Sequence, residues 1–271
     1  MGADYTDRIL ASRRLDAESL RDNERSWLAL IGLFPLADGI NTLGSDASNR
    51  IVLPGLPRNT GTLNVSAGAL RLNASQSTAF TINGTAQTQA DLRADRSGDP
   101  TFVEIGNFIL LVIERGGQPY LRVWDKAHPA RKNFIGLNHY PIDPAYCITA
   151  RFIRYEDPRP IEIEDIIHTR SLIDHVGAVE FDWQGQACRL EAQSDDEGLY
   201  FNFRDRTNGD TTYPAGRFLL SEAPQGDRVI VDFNLAYNPP CAFTDFATCP
   251  LPPPQNKLPV RIEAGEMKYR T

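Results

Sequence analysis

Leu199-Tyr-Phe-Asn-Phe-Arg-Asp-Arg-Thr-Asn-Gly-Asp-Thr-Thr-Tyr213 carries the signal that decides the fold. Leu199, Phe201 and Phe203 alternate with Tyr200, Asn202 and Arg204, which gives an extended chain one apolar and one polar face. Asn208-Gly209 follows, a pair that readily takes the positive φ of a two-residue hairpin turn, so a hairpin is expected between Leu199–Arg206 and Thr211–Tyr213. Working outward, the same signature recurs. Gln184-Gly185 separates Val179–Trp183 from Ala187–Ala192, Gly116-Gly117 separates Phe108–Arg115 from Tyr120–Trp124, and Asn83-Gly84 follows Ala79–Ile82. Val229, Val231 and Phe233 oppose Ile230, Asp232 and Asn234. No helical period persists after Ile31. The expected class is all-β, mainly an antiparallel sandwich or barrel, with strand exceeding helix at least twofold.

Helix is expected only in an N-terminal arm, residues 1–36, lying across an edge of the β core. Tyr5–Leu20 lacks Pro and Gly, and Asn23 is placed to cap a second helix, Glu24–Ile31, that Gly32 and Pro35 end. Two β parts follow, 37–155 and 156–271, with Tyr155–Pro160 as the connection. Seven of the 19 prolines fall between Pro239 and Pro259. Such a stretch is neither central strand nor helix. Its Cys241, Phe243, Phe246 and Leu251 are too apolar for a free linker, so 238–259 is expected to be a packed, rigid loop.

With 41% hydrophobic and 23% charged residues over 271 positions, the chain can bury a substantial core. A formal net charge of -7 argues against a nucleic-acid groove or an anionic membrane surface as partner. Met1–Leu20 lacks a signal-peptide apolar core, and Trp27–Leu36 and Phe108–Ile113 are too short to span a bilayer. A cytoplasmic location is therefore expected, with Cys147, Cys188, Cys241 and Cys249 as thiols. Only Cys241 and Cys249 are near neighbours, and His128, His139, His168 and His175 show no ligand spacing, so no metal is expected. These histidines read as surface or turn residues, and Arg122 and Asp125 as an exposed strand pair. No Gly-rich phosphate loop or serine elbow occurs, so no cofactor is expected.

Two resemblances extend this reading. Leu36-Ala-Asp-Gly-Ile-Asn-Thr-Leu-Gly-Ser-Asp46, Ile51-Val-Leu-Pro54 and Asn83-Gly84 resemble the opening strands of a forkhead-associated domain, a phosphothreonine-reading sandwich. The phosphate-reading pattern is missing. Ser45 follows Gly44 where the family has Arg, and Arg58-Asn-Thr-Gly61 stands where its Ser–His pair would fall. The second resemblance, over nearly the whole chain, is to the family called domain of unknown function 1684. It rests on Trp27–Phe34, Leu121–Asp125, Phe134–Leu137, Asp205–Gly209, Gly216–Leu219, Asp232–Asn234 and Tyr237–Ala242 through Ala264-Gly-Glu266. It implies no activity.

The densest polar cluster is C-terminal: Asp205, Thr207, Tyr213, Arg217, Asp232, Asn234, Asn238, Asn256 and Glu266. Asp232 and Asn234 share a strand face, and a buried carboxylate needs a partner, for which Arg217 is the nearest fixed cation. This is either a buried ion pair pinning the Pro-rich loop or a polar pocket lidded by Asn238–Asn256. In the pocket reading Asp232, Arg217 and Tyr213 are the catalytic candidates, with Asp232 as acid–base group and Arg217 as anion anchor. Asn234, Asn238, Cys241, Asn256 and Glu266 would bind ligand. The function is unknown from sequence. A small-molecule hydrolase or isomerase acting on a polar or anionic compound is preferred over a non-catalytic ligand- or protein-binding β module, and the oligomeric state is open.

Overall fold

The structure is a computed structural model that describes residues 3–76 and 78–269. Strands hold 46% of residues against 14% in helices, as the turn signals require. The chain divides into two units, one of Arg21–Asn133 and one joining the stretch up to Leu20 to the chain from Phe134 onward. The division thus falls at Leu20 and Asn133, rather than at 36 and 155.

In the Arg21–Asn133 unit, a six-stranded sheet is built from β1 (Leu30–Pro35), β6 (Phe80–Ile82), β7 (Thr85–Gln87), β9 (Val103–Ile105), β10 (Phe108–Arg115) and β11 (Gln118–Asp125). Its order is β1-β11-β10-β9-β6-β7. A five-stranded sheet comprises β2 (Gly39–Gly44), β3 (Ile51–Val52), β4 (Gly61–Ser66), β5 (Ala69–Ala74) and β8 (Gln89–Leu92), in the order β3-β2-β4-β5-β8. Leu43, Leu63 and Leu72 of the smaller sheet share one core with Leu110, Val112 and Val123 of the larger, so the two pack as a sandwich. Asn83-Gly84 and Gly116-Gly117 make the expected turns, all four residues at positive φ.

The second N-terminal helix does not form. Asn23 caps a turn instead, its Oδ1 accepting from Arg25 N–H at 2.8 Å. Leu30–Pro35 is then drawn into the sheet by pairing with β11. Nor is Arg122 exposed: it is buried against the rings of Trp27 and Trp124.

The other unit opens with α1 (Ala3–Asp22), whose Tyr5 and Ile9 form a buried stripe one turn apart. Its sheet contains β12 (Cys147–Glu164), β13 (Arg170–Trp183), β14 (Gln186–Ser194), β15 (Gly198–Phe203), β16 (Arg217–Glu222) and β17 (Arg228–Asp232). The antiparallel order β16-β15-β14-β13-β12-β17 curls into a nearly closed barrel, because Leu219 at one end and Val229 and Val231 at the other enter the same core. Phe201, Phe203 and Phe233 are fully buried there, each worth roughly 1.5–3 kcal/mol of transfer energy. Leu258, Val260, Ile262 and Ala264 from the C-terminal segment complete that core.

Tyr155–Pro160 is no linker. It lies inside β12, where the pairing with β13 slips between Arg154 and Arg159, and this bulge accommodates Pro158. Gln184-Gly185 makes the expected hairpin turn between β13 and β14. Asn208-Gly209 does not join two strands. Asn208 turns its side chain inward to Asp205 N–H (2.6 Å) and the Tyr213 carbonyl (2.6 Å), so local side-chain bonds replace a ladder. The chain re-enters the sheet only at Arg217. The Pro-rich stretch is a packed loop carrying short 3-10 turns, with Cys241, Phe243, Ala247 and Cys249 buried.

Candidate functional site

β17 alternates as its sequence requires: Val229 and Val231 enter the core, while Ile230 and Asp232 face outward. The strand ends at Asp232, which caps the 3-10 turn Phe233–Leu235 by accepting from Asn234 N–H at 3.1 Å. Asn234 therefore meets Asp232 through this turn and not along a strand face. Its Nδ2 donates to Asp232 Oδ1 (3.0 Å), Tyr5 Oη (3.0 Å) and the Asp143 carbonyl (2.8 Å), while its Oδ1 accepts from Asp143 N–H (3.1 Å). From α1, Tyr5 directs its hydroxyl between the two oxygens of Asp232, at 3.0 and 2.9 Å. Burial and the neighbouring Asp232 carboxylate raise the Tyr5 phenol, which keeps its proton as donor. Asp232 is 4% exposed; Arg8 on the next helical turn reaches it at 3.9 Å and is itself in solvent.

Asp232 stands at the end of a groove of about 530 Å³ on the outer face of the barrel. Cys147 and Thr149 of β12, Ile230 of β17 and Leu220, Ser221 and Glu222 of β16 line it, together with Leu235, Asp195 and Glu197 and with Tyr5 and Arg8 from the helix. Cys147 is the cross-strand partner of Asp232, and burial, with Asp232's charge second, raises its thiol. It is a thiol and not a thiolate. The N-terminal helix was expected, but its place in the site, and those of Cys147, Asp195, Glu197 and Glu222, were missed from sequence. Tyr5 and Ile9 at helical spacing mark a buried face, but nothing local says that Tyr5 meets a carboxylate 227 positions away.

Arg217 is not in this groove. Its side chain and that of Asp205 are wholly buried and paired at 2.7 Å. The guanidinium also donates to the carbonyls of Ile262 (2.9 Å), Ala264 and Glu266 (3.4 Å), and lies over the Phe203 ring. The expected Arg217–Asp232 pairing is therefore replaced by Arg217–Asp205, a clamp on the C-terminal segment. The register explains it, since Arg217 pairs opposite Phe203, two residues before Asp205.

The remaining candidates also hold the loop, and none of them lines the groove at Asp232. Tyr213 donates to the Cys241 carbonyl at 2.8 Å, and burial raises its phenol. Asn238 N–H donates to Glu266 at 2.8 Å, and Asn238 Nδ2 to the Met267 carbonyl at 2.8 Å. Burial pushes Glu266 up to about 7 against that hydrogen bond. Asn256 accepts from Glu191 N–H (2.6 Å) and donates to the carbonyls of Glu191 (3.0 Å) and Asn202 (2.9 Å), standing in for a strand partner. No residue of Asn238–Asn256 lines the groove, so the expected lid is absent from it. His175, read as a surface or turn residue, is fully buried, and burial lowers its basicity. Among the described residues no group of three or more His, Cys, Asp or Glu could hold a metal ion, and no helix is long and apolar enough to cross a membrane.

Residues 132–267 match the family described as protein of unknown function (DUF1684), and the chain belongs to that family. The match covers this C-terminal half and not, as read from sequence, nearly the whole chain. An uncharacterized protein of Haloarcula marismortui, solved by solution NMR, is 35% identical over 51% of this chain and 79% of its own, with a TM-score of 0.43. The FhaA FHA domain, crystallised with the intracellular domain of Rv3910, is 14% identical over 33% of this chain and 96% of its own, with a TM-score of 0.24. A search of curated proteins gives no match.

Proposed function

We propose that the C-terminal unit is a ligand-binding β module whose outer groove takes an organic cation with an apolar body. The groove itself carries this reading. Its volume, about 530 Å³, suits a small molecule. Leu220, Ile230 and Leu235 offer apolar surface, while Asp195, Glu197, Glu222 and Asp232 set four carboxylates against the single cation Arg8. A ligand ammonium or guanidinium complements that field, and a carboxylate or phosphate is repelled by it.

Binding without chemistry is favoured over the hydrolase or isomerase reading. Asp232 already accepts from Tyr5 and Asn234, Cys147 is held as a thiol, and the anion anchor that reading needs, Arg217, is sealed in the core. The forkhead-associated likeness of the N-terminal β part belongs to the same proposal only as a scaffold. Where phosphate would be read, Arg58 is already paired with Asp46, whose carboxyl a Ser48 N–H bond and Arg58 hold below the usual range.

Calorimetric titration with butylamine, agmatine and spermidine, beside butyrate and succinate, tests this. The amines should bind, more weakly as salt rises. Glu222→Gln with Glu197→Gln, both exposed, should weaken binding about fivefold or more, as loss of roughly 1 kcal/mol implies. Tighter binding of the carboxylates, or indifference to the paired substitution, refutes it.

A further inference from the structure

The Pro-rich loop brings together two thiols that the groove does not use. Cys241 sits in the 3-10 turn Pro240–Ala242, and its backbone N–H donates to Cys249 Sγ at 3.2 Å. Both chain positions are held from outside. Tyr213 donates to the Cys241 carbonyl (2.8 Å), and the Cys249 carbonyl accepts from Ile166 N–H (2.9 Å). Around them lie Phe218, Ala247, Tyr200 and Tyr237, so the pair is enclosed in apolar surface, with Cys241 8% and Cys249 5% exposed.

An N–H to sulfur bond by itself explains one buried cysteine, as a side chain satisfying a turn. It does not call for a second thiol at the donor's own residue. Cys249 Sγ lies against the Cys241 backbone at 3.2 Å, which puts it within reach of the Cys241 side chain. Cys147 and Cys188 have no such neighbour: one faces the groove, the other the barrel core.

We propose that Cys241 and Cys249 are an oxidisable dithiol that closes to an intramolecular disulfide under hydroperoxide. Cys241, as thiolate, attacks one peroxide oxygen; the O–O bond breaks, and the departing hydroxide takes the proton released by Cys241 to leave as water. Cys249 sulfur then attacks the resulting Cys241 sulfenic acid, the S–O bond breaks, and the hydroxyl leaves as a second water with the Cys249 proton. The dithiol loses two electrons and two protons, and the peroxide gains both. Cys241 is the attacking member: hydrogen bonding from the Cys249 thiol lowers its pKa against the opposing effect of burial. The bond would tie the two ends of the segment 241–249.

The test uses the reduced full chain under native conditions, treated with hydrogen peroxide, alkylated, and cleaved before Asp245, which separates the two cysteines. The expected result is one product lighter by two hydrogens, with the Cys241 and Cys249 peptides joined and reversed by dithiothreitol, while Cys147 and Cys188 remain alkylated. In Cys249→Ser, a sulfenic acid trappable by dimedone should stop at Cys241. If that variant does not fold, the wild-type peptide map decides alone. Cys241 and Cys249 both alkylated after excess peroxide, or a disulfide joining either to Cys147 or Cys188, overturns the proposal.

Discussion

Replacing Arg217 with alanine removes the positive member of a pair that has no solvent on either side. Asp205 keeps bonds from Thr207 N–H (2.7 Å) and Ile262 N–H (3.4 Å), but its charge is left in the core without a counter-ion. The carbonyls of Ile262 and Ala264 lose a donor as well. Breaking one side of a buried pair costs about 3–5 kcal/mol, and at about 2–4 °C per kcal/mol for a chain of this size the Tm should fall by roughly 6–20 °C. Two units are present, so calorimetry is the assay, with the loss confined to one transition. The paired replacement Arg217→Met with Asp205→Leu should cost clearly less than the sum of the two single changes, because no unpaired charge remains. A Tm within about 2 °C of wild type for Arg217→Ala, or strict additivity in the double variant, would refute the clamp.

Glu266 sets a pH dependence. Its folded pKa stands at about 7 against an ordinary 4.5, so the folded state binds the extra proton, and the stability this confers is present below pH 4.5 and lost as pH rises to about 7. Glu266→Gln should therefore melt closer to wild type at pH 5 than at pH 8, where the variant gains relative to wild type; a constant difference across that range would contradict it. Tyr5→Phe deletes the hydroxyl shared by Asp232 and Asn234, and urea unfolding should show a loss of about 1–3 kcal/mol at unchanged m. A loss below about 0.3 kcal/mol would mean that α1 does not hold the carboxylate.

What could be read in advance follows the range of the interaction that fixes it. Leu199, Phe201 and Phe203 are inward because alternation is a property of the strand alone, and Gln184-Gly185 turns because its own φ angles favour a hairpin. Asn208-Gly209 has the same chemistry, yet Asp205 and Asn208 have side chains able to satisfy the backbone locally, and a loop wins. Leu30 and Ile31 look equally apolar in helix or strand; the choice was made by β11, which lies 94 residues downstream in the pairing Leu30 to Trp124.

The polar cluster shows the same limit at the level of the site. That Asp205, Arg217, Asp232, Asn234, Asn256 and Glu266 are buried follows from placing polar residues on strands and in an apolar loop, and burial obliges each to find a partner. Which partner is a matter of register. The β15–β16 pairing puts Arg217 opposite Phe203 and so gives it to Asp205, and this leaves Asp232 to recruit a neutral donor from the far end of the chain. A tyrosine there has a consequence that an arginine would not. It satisfies the carboxylate without bringing a counter-charge of its own, so the cation that reaches Asp232 is the solvent-facing Arg8. The same register that makes Arg217 a structural clamp is therefore what leaves Asp232 to be held by Tyr5 and Asn234 at the end of the groove.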